Sequence, residues 1–144
     1  MAAERTANVT WSGSLLEGSG TIDSVGSGAF GPLPVTWAAR TEQPNGLTSP
    51  EELIAAAHAS CFSMALSHAL AQAGSPPDRL ETSATVTFVP GTGITSSALT
   101  VRGAVPGLDE DAFRAAAEDA KVNCPVSKAL ASVPEITLDA SLLG

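Results

Sequence analysis

Two cysteines occur in the 144 residues, Cys61 and Cys124, and their local settings differ. Cys124 stands in Asn123-Cys124-Pro125. Proline suits the first position of a helix, so this thiol is expected at or beside a helix N-terminus, where backbone N–H groups and the helix dipole favour a thiolate. Cys61 lies in His58-Ala59-Ser60-Cys61-Phe62-Ser63, a mid-helix setting in which a buried free cysteine is commonly inert. If the fold brings the two together, they have a redox logic. A thiolate attacks an O–O bond and becomes a sulfenic acid; the second thiol condenses with that acid to a disulfide; an external dithiol reopens it by exchange.

A nucleophilic thiolate needs a cation nearby. Arg40 is the best candidate, at the end of a strand-like stretch just before the loop that leads to Ser49-Pro50-Glu51. It can also stabilise charge on a leaving alkoxide. Glu51 is placed to hold Arg40 in a bidentate pair. The plain readings compete: a solvated strand-end charge for Arg40, and dipole or capping stabilisation for Glu51.

Three other constellations are weaker. His58 precedes Cys61 by three residues and shares its helix face, which invites a Cys–His nucleophile of the hydrolase type. No Asn or Asp is placed to orient it, so a packed structural histidine is the preferred reading, as for His68. Cys61, Cys124 and His58 lack the close-spaced pairs of a zinc site, and no metal or cofactor is expected. The glycines between Gly18 and Gly31 are not followed by the Lys-Ser/Thr of a phosphate loop and read as hairpin turns.

The elements that must position these groups can be read along the chain. Asn8-Val9-Thr10-Trp11-Ser12 and Gly20-Thr21-Ile22-Asp23 flank a Gly/Ser-rich turn, as in a hairpin. Residues 34–40 form a third strand candidate. Ser49 then suits a helix N-cap, Pro50 the first helical position and Glu52 the third position of a capping box. Leu53, Ile54, Ala57, Cys61, Met64, Ala65, Ala69 and Leu70 recur at helical spacing, and Gly74 with Pro76-Pro77 ends the helix. Strands are expected over 80–89 and 94–105, a helix opening at Asp109-Glu110-Asp111, a second from Val126 to Ala131 and a last strand over 135–143. The order β-β-β-α-β-β-α-α-β implies an α+β fold, and 144 residues suit a single domain spanning 1–144.

Composition narrows the function. A net charge of −8, with seven Lys and Arg dispersed along the chain, offers no stripe for nucleic acid and disfavours anionic lipid. The weakly polar run 53–73 is broken by His58, Ser60, Ser63, Ser67, His68 and Gln72, so a buried helix is expected and not a membrane span. No secretory leader is visible, and two cysteines without one point to a reducing, cytoplasmic setting where a disulfide is transient or catalytic. The apolar residues are mostly small, so self-association is a natural way to bury more surface.

The segment from Ser49 to Ser67, with Ser49-Pro50-Glu51-Glu52-Leu53-Ile54 and His58-Ala59-Ser60-Cys61-Phe62-Ser63-Met64, closely resembles the central helix of the OsmC/Ohr peroxidase family. Asn123-Cys124-Pro125-Val126-Ser127-Lys128 resembles its second cysteine motif, and Val105-Pro106-Gly107-Leu108-Asp109 and Glu135-Ile136-Thr137-Leu138-Asp139 also fit. Val126 after Cys124-Pro125, and His58-Ala59-Ser60 before Cys61, resemble the OsmC branch. The resemblance implies antiparallel sheets packed around a long central helix, in an intertwined homodimer with sites at the subunit interface. It implies a peroxidase that acts on organic hydroperoxides and less efficiently on hydrogen peroxide, in oxidative or osmotic stress defence. Cys61 is then the peroxidatic and Cys124 the resolving cysteine, Arg40 and Glu51 a supporting ion pair, and a dithiol, of lipoyl type in related members, the reductant.

Helix geometry adds a constraint. Glu51 and Cys61 are ten residues apart, so about 15 Å apart along a straight helix. Either Glu51, with Arg40, serves Cys61 of the other subunit, or the helix breaks near 55–57. The reading from a different class is a non-enzymatic α+β dimeric binding module whose cysteines merely pack.

Overall fold

The computed structural model describes residues 1–143; Gly144 lies outside the described residues. The chain forms two compact units, Met1–Leu53 and Ile54–Gly144.

In the first unit, β1 (Ala7–Ser12) and β2 (Ser19–Val25) pair antiparallel across the Gly/Ser turn, and β3 (Leu33–Val35) adds to β2. The expected third strand stops early. After Val35 the chain turns into a short helix, α1 (Trp37–Thr41), because the Thr36 hydroxyl accepts a hydrogen bond from the Ala39 N–H at 3.1 Å. This N-cap overrides the strand preference of Val35-Thr36-Trp37. Arg40 therefore rides on a helix and not on a strand end.

Helix α2 runs unbroken from Pro50 to Gln72, without a break at 55–57. Ser49 caps it as expected, its hydroxyl accepting from the Glu52 N–H at 3.1 Å. The reciprocal half of the box is replaced: the Glu52 carboxylate takes the Thr48 hydroxyl at 3.0 Å. At the other end, Gly74 adopts a left-handed φ of +91° and the Ser75 N–H reaches back to the Leu70 carbonyl at 2.8 Å, closing the helix.

The second unit holds the larger core. Strands β4 (Arg79–Val89) and β5 (Gly93–Ala104) form a long antiparallel hairpin. Helices α3 (Glu110–Asn123) and α4 (Pro125–Ala129) then carry the chain to β6 (Glu135–Leu142), which joins β5 in parallel. The expectation of antiparallel sheets is thus met by β1-β2-β3 and by β4-β5, but not by β6; a helical crossover is what allows a parallel return. Asp109 caps α3, accepting from the Ala112 N–H at 2.8 Å.

Phe62, Leu66 and Leu70 of α2 pack with Leu99 and Val101 of β5, Phe113, Ala117 and Ala120 of α3, and Cys124. The buried side of α2 is therefore the row 58, 62, 66, 70, a four-residue step that includes a histidine. Of the predicted stripe, Leu70 belongs to this row and Cys61 and Ala65 pack against the core, whereas Ala57 and Met64 face outward, Met64 being 71 % exposed. The helix is buried along one face and not all round.

Candidate active site

Arg40 and Glu51 meet within the first unit. The first turn of α2 holds Glu51, which is buried, and α1 brings Arg40 over it. The guanidinium Nε lies 3.0 Å from Oε1 and Nη2 lies 2.8 Å from Oε2, a bidentate pair. Arg40 Cζ also lies over the Trp37 ring, 5.7 Å from its centre, a cation–π contact that helps hold the guanidinium. An apolar cavity of about 410 Å³ opens beside it, lined by Trp11, Leu15, Val35, Trp37 and Pro50 with Arg40.

Cys61 and Cys124 meet within the second unit. Cys61 projects from the middle of α2 and remains partly exposed. Cys124 is fully buried where α3 ends and α4 begins; its N–H closes α3 on the Ala120 carbonyl at 2.8 Å, and Pro125 follows as the first residue of α4. The expectation of a helix N-terminus at this cysteine thus corresponds to a joint between two helices. Both thiols are free and act on each other.

The two sulfurs are electrostatically unequal. Burial pushes the Cys61 thiol above its ordinary range, and the neighbouring Cys124 adds to this; the Val126 N–H opposes it and is outweighed. Burial also works to raise Cys124. There it is outweighed by the Ser127 N–H, the Cys61 thiol, the Ser127 hydroxyl and the Val126 N–H, and Cys124 falls below its ordinary range. In the single chain Cys124 is the more readily ionised of the two, while the sulfur that solvent can reach is Cys61.

His58 is fully buried, as a packed helix histidine was expected to be, but its partners were not foreseen. Nδ1 lies 2.7 Å from the Ser97 hydroxyl of β5 and Nε2 lies 2.8 Å from the Ser127 hydroxyl of α4. Burial holds the imidazole below its ordinary pKa of 6.5, hence neutral near pH 7. Ser97 and Ser127 carry no signal in the sequence beyond the position of Ser127 three residues after Cys124. Among the described residues no group of three or more His, Cys, Asp or Glu could hold a metal ion.

Residues 43–139 match a family described as OsmC-like protein. The chain is 42 % identical to peroxiredoxin OsmC of Escherichia coli (strain K12) over 99 % of both chains, and equally so to peroxiredoxin OsmC of Shigella flexneri. Among solved structures it is similar to an organic hydroperoxide resistance protein of Elizabethkingia anophelis, with a TM-score of 0.70 at 22 % identity over 99 % of this chain and 100 % of that one. It is likewise similar to OhrB of Bacillus subtilis, with a TM-score of 0.64 at 24 % identity over 96 % and 98 %. At these identities the two structures bear on the fold.

Proposed function

Because this chain belongs to the OsmC-like family, we propose that it is a thiol-dependent peroxidase that reduces organic hydroperoxides, and hydrogen peroxide less efficiently, in stress defence. The observation that carries the reading is the meeting of Cys61 and Cys124, 63 residues apart in sequence, in a chain so close to proteins named peroxiredoxin.

Access supports Cys61 as the attacking sulfur, since Cys124 is sealed in the core. Loss of the Cys61 proton, to Cys124 or to solvent, gives the thiolate where peroxide can arrive. Cys61 sulfur then attacks the O–O bond; the alkoxide leaves and takes a proton, giving an alcohol and a Cys61 sulfenic acid. Cys124 sulfur displaces hydroxide from that acid, which leaves as water once protonated, and a disulfide forms. A dithiol, of lipoyl or a related type, returns both thiols and leaves as its own disulfide. The setting is the cytoplasm, where thiols are kept reduced.

Forming that thiolate needs a cation near Cys61, and among the described residues of its own unit none acts on it. The reading assigns this part to Arg40 of the partner subunit, held by the partner's Glu51, in an intertwined homodimer. Two features support it: the unbroken α2, with about 15 Å of rise between positions 51 and 61, and the exposed side of α2 around Met64.

Thiol titration tests the function. About one equivalent of a hydroperoxide should consume both thiols, as sulfenic acid condensation requires, and a dithiol should restore them. A Cys61→Ser variant that still consumes hydroperoxide at the wild-type rate would overturn the assignment.

A further inference from the structure

The buried chain Ser97–His58–Ser127 ends in the first turn of α4, which begins at Cys124, and the reaction derived above does not use it. Its three side chains come from β5, α2 and α4 and are at most 6 % exposed. Each imidazole nitrogen has one hydroxyl partner, at 2.7 Å and 2.8 Å, and no buried side-chain nitrogen or oxygen among the described residues lacks a partner. A neutral imidazole has one N–H donor and one acceptor. Two arrangements are therefore available. In one, the Ser97 hydroxyl donates to Nδ1, Nε2–H donates to the Ser127 oxygen, and the Ser127 hydroxyl proton is left to point at Cys124. In the other, every direction reverses and the Ser127 proton is spent on His58. The first serves a Cys124 thiolate, the second a Cys124 thiol.

The geometry points to His58 and Ser127 as positioning residues for Cys124: His58 turns the Ser127 hydroxyl toward the Cys124 sulfur and so holds Cys124 as the thiolate that resolves the oxidised Cys61. The inference rests on the peroxidase reading for its place in the reaction. In the condensation, the Cys124 sulfur pair forms the S–S bond as the Cys61 S–O bond breaks, and the departing hydroxide is protonated to water. When a dithiol later attacks the Cys61 sulfur of the disulfide, Cys124 departs with the electron pair and the same hydroxyl receives the charge. Among the described residues no lysine, arginine or carboxylate acts on the Cys124 sulfur; the groups that do are Cys61 from α2, and Val126 and Ser127 from α4. The serine hydroxyl is thus the adjustable donor, and His58 decides which way it faces.

This role has a signature that mere packing lacks. A hydroxyl that holds charge on Cys124 opposes its transfer to Cys61, so its loss should not slow the first step while it slows the second. Stopped-flow single turnovers with an organic hydroperoxide, with a sulfenic acid trap to time Cys61 oxidation, separate the steps. Ser127→Ala is expected to keep the rate of sulfenic acid formation or raise it, and to slow disulfide formation about tenfold; Ser127→Thr, which keeps the hydroxyl, restores it. The ultraviolet absorbance of the thiolate, followed through a pH titration in the Cys61→Ser background, reads Cys124 without peroxide. There Ser127→Ala should move the midpoint up by about one pH unit.

Should Ser127→Ala not fold, the His58 variants carry the test. H58Q keeps a donor and an acceptor, H58L keeps neither, and the former should titrate near the parent while the latter shifts upward. A wild-type midpoint and wild-type condensation in Ser127→Ala, or equal midpoints in H58Q and H58L, would overturn the inference. A wild-type protein whose thiols survive hydroperoxide would instead overturn the peroxidase reading, and the titration would still judge the link between His58, Ser127 and Cys124.

Discussion

Arg40 grips Glu51 with two nitrogens, Nε 3.0 Å from one carboxylate oxygen and Nη2 2.8 Å from the other, and the carboxylate is much the more buried partner. Removing the cation strands a buried charge, whereas removing the acid leaves a guanidinium that water can reach. Arg40→Met should therefore destabilise the protein by about 1–3 kcal/mol, and Glu51→Gln by less. Denaturant midpoints of the two variants give the ranking. The reverse order would mean that the guanidinium, not the carboxylate, depends on the pair.

The assignment of Arg40 to the partner's Cys61 predicts complementation. Arg40→Ala and Cys61→Ser chains should each be nearly inactive alone. Unfolded together in equal amounts and refolded, about half of the dimers are mixed and each mixed dimer has one complete site, so about a quarter of the wild-type activity returns. No recovery, with mixed dimers shown to be present, would place Arg40 and Cys61 action within one chain.

His58 should leave a mark on stability against pH. Its folded pKa lies below 6.5 because burial penalises the imidazolium, so the unfolded chain binds the proton more readily. The sign follows: the stability linked to this group is complete above pH 6.5 and is lost as pH falls from there through the lower folded value, with a slope of up to about 1.4 kcal/mol per pH unit. Thermal unfolding at a series of pH values between neutral and mildly acid should show the decline, and H58Q should flatten it. An undiminished slope in H58Q would assign the decline to other groups.

The sequence made most elements readable where local chemistry decides them. Ser49 with Pro50 and Asp109 with Glu110 mark helix starts that the structure keeps, since caps act within one turn. The alternation of Thr82, Ala84, Val86 and Phe88 marks β4 for the same reason. Two features were hidden because they depend on non-local partners or on a competing local bond. Residues 37–41 have strand-like composition, and one hydroxyl, that of Thr36, turns them into a helix. The inward face of α2 was misread because His58 counts as polar; it is buried through two serines, 39 and 69 residues away in sequence. The joint at Cys124 was legible for a local reason, as the caps were: Asn123-Cys124-Pro125 interrupts the helix opened at Asp109 and starts the next, since proline suits a first helical position and disfavours helix at the residue before it.

Gly103 offers a test of how tightly the second unit's core is built. It lies on β5, opposite Leu80 of β4, and a Cβ there would sit 2.6 Å from two carbons of the Phe113 ring. Phe113 is fully buried among α2, α3 and β5, so the ring has no free direction in which to yield. Gly103→Ala should thus cost about 1–3 kcal/mol as overpacking, despite the better strand propensity of alanine. Pairing it with Phe113→Leu, which vacates the space, should recover part of that loss, and a double-mutant cycle measures the coupling. Additive effects in the cycle would show that α3 shifts as a body to admit the methyl group instead of clashing through the ring.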